Sequence, residues 1–128
     1  ESLAATIADV YPAPAGLRLE VEADDFYLSP KVLFPLGIVL NELATNALKH
    51  AFPPGVTDAP RLDVSLRREG ERAELRVRDN GRGFPEGAAA GKPGGFGLSL
   101  VFMLAEQLGG EFRIGGASGV EASFRFKP

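Results

Sequence analysis

The sequence predicts an α+β fold, a two-layer α/β sandwich in which helices stack on one face of a mixed sheet. Apolar residues alternate with polar ones in five short stretches and recur at steps of three and four in the longer ones. Glycine- and proline-rich runs fall between these segments. The resulting order is helix, strand, helix, strand, strand, loop, helix, strand, strand.

Residues 1 to 10 read as the end of a helix, closed by Pro12 and Pro14. LRLEVEA, residues 17 to 23, places Leu17, Leu19 and Val21 on one side, as a half-buried strand does. The next segment, 29 to 52, opens with Ser29 as candidate N-cap and Pro30 at the first helical position. Leu33, Leu36, Leu40, Leu43 and Ala47 give it one apolar face. Pro35 lacks a donor and clashes with the preceding turn, which predicts a kink or a later helix start. PPGVTDAP, 53 to 60, is a loop, and RLDVSLRR and AELRVRDN form a hairpin around EGE. Residues 81 to 97 are too irregular for either periodic element. Helical spacing resumes in GLSLVFMLAEQL and stops at Gly109 and Gly110. EFRIGG and VEASFRFKP close the chain as a strand pair around ASG.

With 128 residues the chain is expected to be a single domain with one core, spanning 1–128. It begins on Glu1 within a helix-like pattern, as a piece of a longer protein would. Hydrophobic residues make up 45% and charged residues 24%, a globular composition. A net charge of −3 offers no basic surface, so neither nucleic acid nor direct membrane contact is expected. No apolar run is long enough for a bilayer, since polar residues interrupt it from Asn41 onward. The opening residues show no basic leader followed by an apolar block. The absence of cysteine excludes disulfides and thiolate metal sites and suits a reducing, cytoplasmic setting.

NELATNALKH, residues 41 to 50, concentrates polar groups in an otherwise apolar helix. Glu42, Asn46 and Lys49 share a stripe, flanked by Thr45 and His50. Mg²⁺ takes oxygen ligands and needs few from the protein, so a neutral amide such as Asn46 suits a phosphate-bound metal. Lys49 can neutralise phosphate oxygens, and Glu42 can order a metal-bound water or act as a base. The bland alternative is a solvated face with a hydrogen bond between Glu42 and Asn46. RDNGRGF, 78 to 84, leaves a strand on Asp79 and spaces Gly81 and Gly83 so that a flat ring can approach the backbone. Asp79 can accept from an exocyclic amine, a charge-assisted bond worth about 1.5 to 3 kcal/mol. A plain Asn-Gly turn is the alternative there. KPGGFGLSL, 92 to 100, sets Gly94, Gly95 and Gly97 before a helix start, as a phosphate site or as a flexible connection. It has no Lys-Ser or Lys-Thr after the glycines, so it is no P-loop.

Together the three segments resemble the ATP-binding catalytic domain of sensor histidine kinases, in the GHKL superfamily. NELATNALKHAF resembles that family's N box, DNGRGF its aspartate-glycine box, and GGFGLSLV its later glycine box. PLGIVLNELATNALKHAFPPG, with AEQLGGEFRI, most resembles the HWE-related branch. The resemblance runs from about Leu17 to Pro128 and implies the Bergerat-type sandwich, with ATP under a lid between sheet and helices. By that likeness Asn46 would bind Mg²⁺ and Glu42 would sit by the metal or γ-phosphate as the catalytic carboxylate. Lys49 and His50 would lie near the phosphates, and Asp79 would hold the adenine amine. Gly81 and Gly83 would shape the base pocket, while Gly95, Gly97 and Leu98 would form the lid's far hinge and the phosphate-facing helix start.

The same likeness implies γ-phosphoryl transfer to a histidine on a separate dimerisation domain, with a response regulator downstream. Residues 85 to 92 are short for a lid and carry no aromatic box. Where the family often has a hydroxyl after a glycine, Val120 follows Gly119, so a second polar contact to adenine is either absent or replaced by Ser123. The single histidine lies in the nucleotide box, so the phosphoacceptor belongs to another segment. Two rival readings are an anti-sigma-factor-type protein-serine kinase and a catalytically silent nucleotide-binding module.

Overall fold

A computed structural model of the chain describes residues 16–83, 98–116 and 118–128; the helix expected at 1 to 10 lies outside them. Arg18–Ala23 forms β1, Pro30–His50 α1, Arg61–Glu69 β2, Arg72–Asp79 β3, Leu98–Gln107 α2, Glu111–Gly115 β4 and Glu121–Phe126 β5. The strands make one sheet in the order β1-β2-β3-β5-β4. β1 and β2 are parallel and every other neighbouring pair is antiparallel, so the sheet is mixed. A parallel pair needs a crossover, and α1 supplies it between β1 and β2. α2 links β3 to β4, which run the same way with β5 between them.

Strand alternation sorts the sheet into two unlike faces. Leu62, Val64, Leu75, Val77, Phe124 and Phe126 point toward the helices and are buried with Leu36, Leu40, Leu43, Val101 and Leu104. The alternate positions carry charge, paired as Arg67–Glu22 at 2.8 Å, Arg76–Glu74 at 2.9 Å and Arg125–Glu69 at 2.8 Å. Exposed pairs of this kind contribute about 0 to 1 kcal/mol each, whereas burying one large apolar side chain contributes about 1.5 to 3 kcal/mol. The core therefore holds the layers together, and the ion pairs keep the outer face solvated.

α1 runs unbroken through Pro35, so the helix does not start late. The proline forfeits one hydrogen bond, to the carbonyl of Lys31, an exposed residue at which water can serve that acceptor. Ser29 does occupy the N-cap with an extended backbone, but its hydroxyl makes no cap bond. Its carbonyl accepts the N–H groups of Val32 and Leu33, at 3.0 and 2.9 Å. The expected apolar face is rotated slightly. Leu33 is 51% exposed, while Val32 and Val39 are buried. Leu33 sits about 60° round the helix from Leu36, past the edge of the contact with the sheet.

The turns follow from glycine. Gly70 is the first of two loop residues between the paired Glu69 and Arg72 and has φ 62, the position where a type II′ hairpin takes glycine. α2 ends in a Schellman motif: Gly109 N–H donates to Glu106 and Gly110 N–H to Ala105, at 3.0 and 2.9 Å. Gly109 has φ 65 and open space around it, so only backbone strain opposes a side chain there. Gly109→Ala is expected to destabilise the domain by about 1 kcal/mol, read as a lower urea midpoint at unchanged slope. Among the described residues no helix is long and apolar enough to cross a membrane.

Candidate functional site

The alternation that buries Ala73, Leu75 and Val77 of β3 carries on to Asp79, which is only 6% exposed. Its Oδ1 accepts two backbone N–H groups, Gly81 at 2.8 Å and Val120 at 3.1 Å. Burial pushes the Asp79 carboxyl above its ordinary value, while the Gly81 and Val120 amides pull it back down. Since both bonds end on Oδ1, Oδ2 is left as the acceptor for anything in the space before it.

That space is fixed by how β3 ends. Gly81 lies flush against Ala51, the C-cap of α1, where a Cβ would run into the Ala51 backbone. Arg82 N–H donates to the Ala51 carbonyl at 2.9 Å. Asn80 serves structure: its Oδ1 accepts from Arg61 N–H at 2.7 Å and its Nδ2 donates to the Ala59 carbonyl at 2.9 Å. The Asp79-Asn80-Gly81 turn is thereby docked on the last turn of α1, with the carboxylate facing that helix.

Between them lies a cleft of about 460 Å³, counted with its open mouth. α1 and its C-cap contribute Leu43, Asn46, Ala47, His50 and Ala51; β3 and its exit contribute Val77, Asp79 and Gly83; Ile114 of β4, Ala122 of β5 and Val120 just before β5 complete it. An apolar cavity with a few converging polar groups is the usual form of a small-molecule site. Asn46 supplies one of those groups, and its Nδ2 is buried with no hydrogen-bond partner among the described residues. An unpaired buried amide costs about 1 to 3 kcal/mol, so the position favours a partner beyond the described residues. Burial, then Arg82, then Lys49 push the His50 imidazolium below its ordinary value, which keeps the ring neutral at neutral pH.

The structure thus brings Asn46, His50, Asp79 and Gly83 to one cavity. Gly81 is a packing contact behind that wall. Glu42 is half-buried and Lys49 exposed, and neither lines the cleft. They lie about 40° and 60° round α1 from Asn46, on the side away from Leu43 and His50. Thr45 is turned back on its own helix, donating its hydroxyl to the Asn41 carbonyl at 2.6 Å. The hydrogen bond between Glu42 and Asn46 does not form, for its donor would have to be the unpaired Nδ2. Leu98 opens α2 with its side chain in the core, 2% exposed. Gly95, Gly97 and the lid residues 85 to 92 lie outside the described residues.

Ser123 does not reach the cleft. Ala122, Phe124 and Phe126 face inward, so Ser123 falls on the outer sheet face, beside Arg76, Arg113 and Glu121. The period-2 pattern of VEASFRF carries that signal, which the family likeness obscured. Sequence reasoning also passed over Ala51, Val77 and Ile114, which shape the cavity. Val77 was recoverable as the inward neighbour two residues before Asp79; Ala51 and Ile114 depend on tertiary packing.

Comparison with known proteins agrees with the fold. The family model described as histidine kinase-, DNA gyrase B- and HSP90-like ATPase matches residues 33–128. The chain belongs to this family. Within this ATPase family, Blue-light-activated histidine kinase 2 of Erythrobacter litoralis is 31% identical over 99 residues, 77% of this chain and 28% of that protein. The solved histidine kinase domain of a blue-light-activated histidine kinase from Erythrobacter litoralis has a TM-score of 0.86 at 25% identity. That match covers 97% of this chain and 57% of the other. The histidine kinase AdeS of Acinetobacter baumannii is similar in fold, at a TM-score of 0.69 and 21% identity over 88% of this chain and 55% of that one. This ATPase-family chain therefore spans roughly a quarter of the curated relative's length and just over half of the solved domain's.

Proposed function

We propose that this domain binds Mg·ATP in the cleft and donates the γ-phosphoryl group to a histidine on a separate dimerisation domain. The parent would be a longer sensor kinase of the HWE-related branch, with a response regulator receiving the phosphoryl group next. One observation carries the reading: a buried carboxylate and an unpaired buried amide stand on the walls of a single apolar cleft. The likeness to kinases named for blue-light activation supports the branch.

The cleft's chemistry suits the nucleotide piece by piece. Val77, Ile114, Val120 and Ala122 offer flat apolar contact to a purine, and Asp79 offers one charged acceptor for its exocyclic amine. Asn46 stands across the cavity, with Glu42 and Lys49 beyond it on α1. Among the described residues no group of three His, Asp or Glu could cage a metal. Asn46 would hold Mg²⁺ as a neutral oxygen ligand, which suits an ion that takes few ligands from the protein. It would thereby hold an ion that, when bound, supplies positive charge against that developing on the transferred group. In transfer the bond from the bridging ADP oxygen to the γ-phosphorus breaks as one forms from the acceptor imidazole nitrogen. A neutral imidazole needs little help from a base, so Glu42 acts chiefly by orienting water or metal near Asn46. Lys49 neutralises phosphate charge, and neutral His50 adds a hydrogen-bonding group without repelling a cation.

Calorimetric titration of ATP with and without Mg²⁺ tests binding, and labelled γ-phosphate in the parent kinase tests transfer. Saturable ATP binding that tightens with Mg²⁺, followed by acid-labile label on the dimerisation domain, is the expected result. Binding without label would leave the silent module as the better reading, and acid-stable label on serine the serine-kinase one. No heat of binding at all would end the nucleotide reading.

A further inference from the structure

We infer that the Gly119–Val120 step at the start of β5 is a positioning element that aims the Asp79 carboxylate, and so sets selectivity for the base amine. The inference rests on the nucleotide reading of the cleft and goes beyond it, because neither residue would touch the amine through its side chain. Asp79 and Val120 are tied twice: Asp79 N–H donates to the Val120 carbonyl at 3.0 Å, and Val120 N–H donates to Asp79 Oδ1 at 3.1 Å. The second bond, with that of Gly81 N–H at 2.8 Å, occupies Oδ1 and fixes the rotation of the carboxylate, leaving Oδ2 for the cleft.

This pairing needs glycine at 119. Gly119 has φ 116, and a Cβ there would collide with the Asp79 carbonyl and press on the Asn80 Cα. The obstacle is backbone, which cannot swing aside as a flexible side chain does. A Cβ added at Gly116, at φ 134, would likewise meet the Gly119 carbonyl, so Gly119 is closely approached on that side as well. Any side chain at 119 must therefore separate β5 from the end of β3, and the Val120 N–H bond is the first to stretch. With one amide left on Oδ1, the carboxylate can rotate and its acceptor loses its aim.

The test compares ATP with purine riboside triphosphate, which lacks the exocyclic amine, on the wild type and on Gly119→Ala. Wild type should prefer ATP by about tenfold or more. In Gly119→Ala that preference should vanish while affinity for the amine-free analogue is kept. The acid limb of the ATP-affinity profile should also move to higher pH, because a lost hydrogen bond to the charged form raises a carboxyl's pKa. A wild type that binds both nucleotides equally would overturn this inference and leave nucleotide binding standing, whereas one that binds neither would sink the nucleotide reading as well. A wild type that discriminates beside a Gly119→Ala that still does would overturn the positioning role alone. Amide NMR of the wild type covers the case in which the variant does not fold. The Gly81 and Val120 signals should titrate with one shared midpoint that is absent in Asp79→Asn; a Val120 amide blind to that titration overturns the inference.

Discussion

Asp79→Asn is expected to remove the preference for adenine nucleotides and, at the same time, to raise the melting temperature of the nucleotide-free domain. Asparagine keeps the fold's requirements, since its Oδ1 can accept both the Gly81 and Val120 amides that now end on Asp79 Oδ1. It replaces Oδ2 with an NH₂ group, so a donor meets the donor of the base amine. Losing a charge-assisted bond and gaining that repulsion should weaken ATP by about a hundredfold or more. The stability change has the opposite sign. Burial raises the Asp79 carboxyl above the ordinary 3.8, so the folded state holds that proton more tightly than the unfolded chain does. The ionised group therefore opposes folding above its folded pKa, and the penalty fades as pH falls through that value. Asparagine carries no such penalty at any pH. The variant's thermal advantage should be full at neutral pH and disappear in acid. A variant less stable than wild type at neutral pH would mean that the carboxylate is a structural anchor. Retained ATP preference would mean that it does not read the base.

The fold was legible in the chain because alternation and helical spacing are local. The inward rows Leu62–Val64, Leu75–Val77 and Phe124–Phe126 are visible in the sequence, and they force helices onto one face. Pro35 did not delay the helix start, because the hydrogen bond it forfeits would have gone to the carbonyl of exposed Lys31, where water can serve that acceptor. Leu33 misled because steps of three and four define a stripe but not where the stripe leaves the sheet. Asp79 was singled out for its place at a strand's end, yet its burial is a matter of parity with Val77, and its orientation depends on Val120 some forty residues away. No local pattern announces that bond. Ser123 failed for the converse reason: parity was printed in VEASFRF and was outweighed by analogy. Glu42 and Lys49 share a stripe with Asn46 on paper, but the cleft opens toward Leu43 and His50, so only one edge of the stripe borders it.

Asn46→Ala is expected to abolish the Mg²⁺ dependence of ATP binding while leaving the domain at least as stable as before. The side chain's buried Nδ2 has no partner among the described residues, so its removal costs no hydrogen bond there, and alanine is the better helix former at that position. Loss of even an outer-shell partner weakens metal binding about 10- to 100-fold. A direct ligand should reach the upper end of that range, and phosphoryl transfer should fall with it. Asn46→Asp then separates the two ways the amide can act. If the side-chain oxygen meets the metal, aspartate supplies that oxygen with a full charge. ATP alone would then be repelled, and Mg²⁺ would restore binding more steeply than in wild type. If instead Nδ2 donates to a phosphate, aspartate has nothing to donate and Mg²⁺ restores little. An Asn46→Ala protein whose ATP affinity still rises with Mg²⁺ as in wild type would move the metal off this helix altogether. The cleft would then be left with Asp79 as its one tested contact.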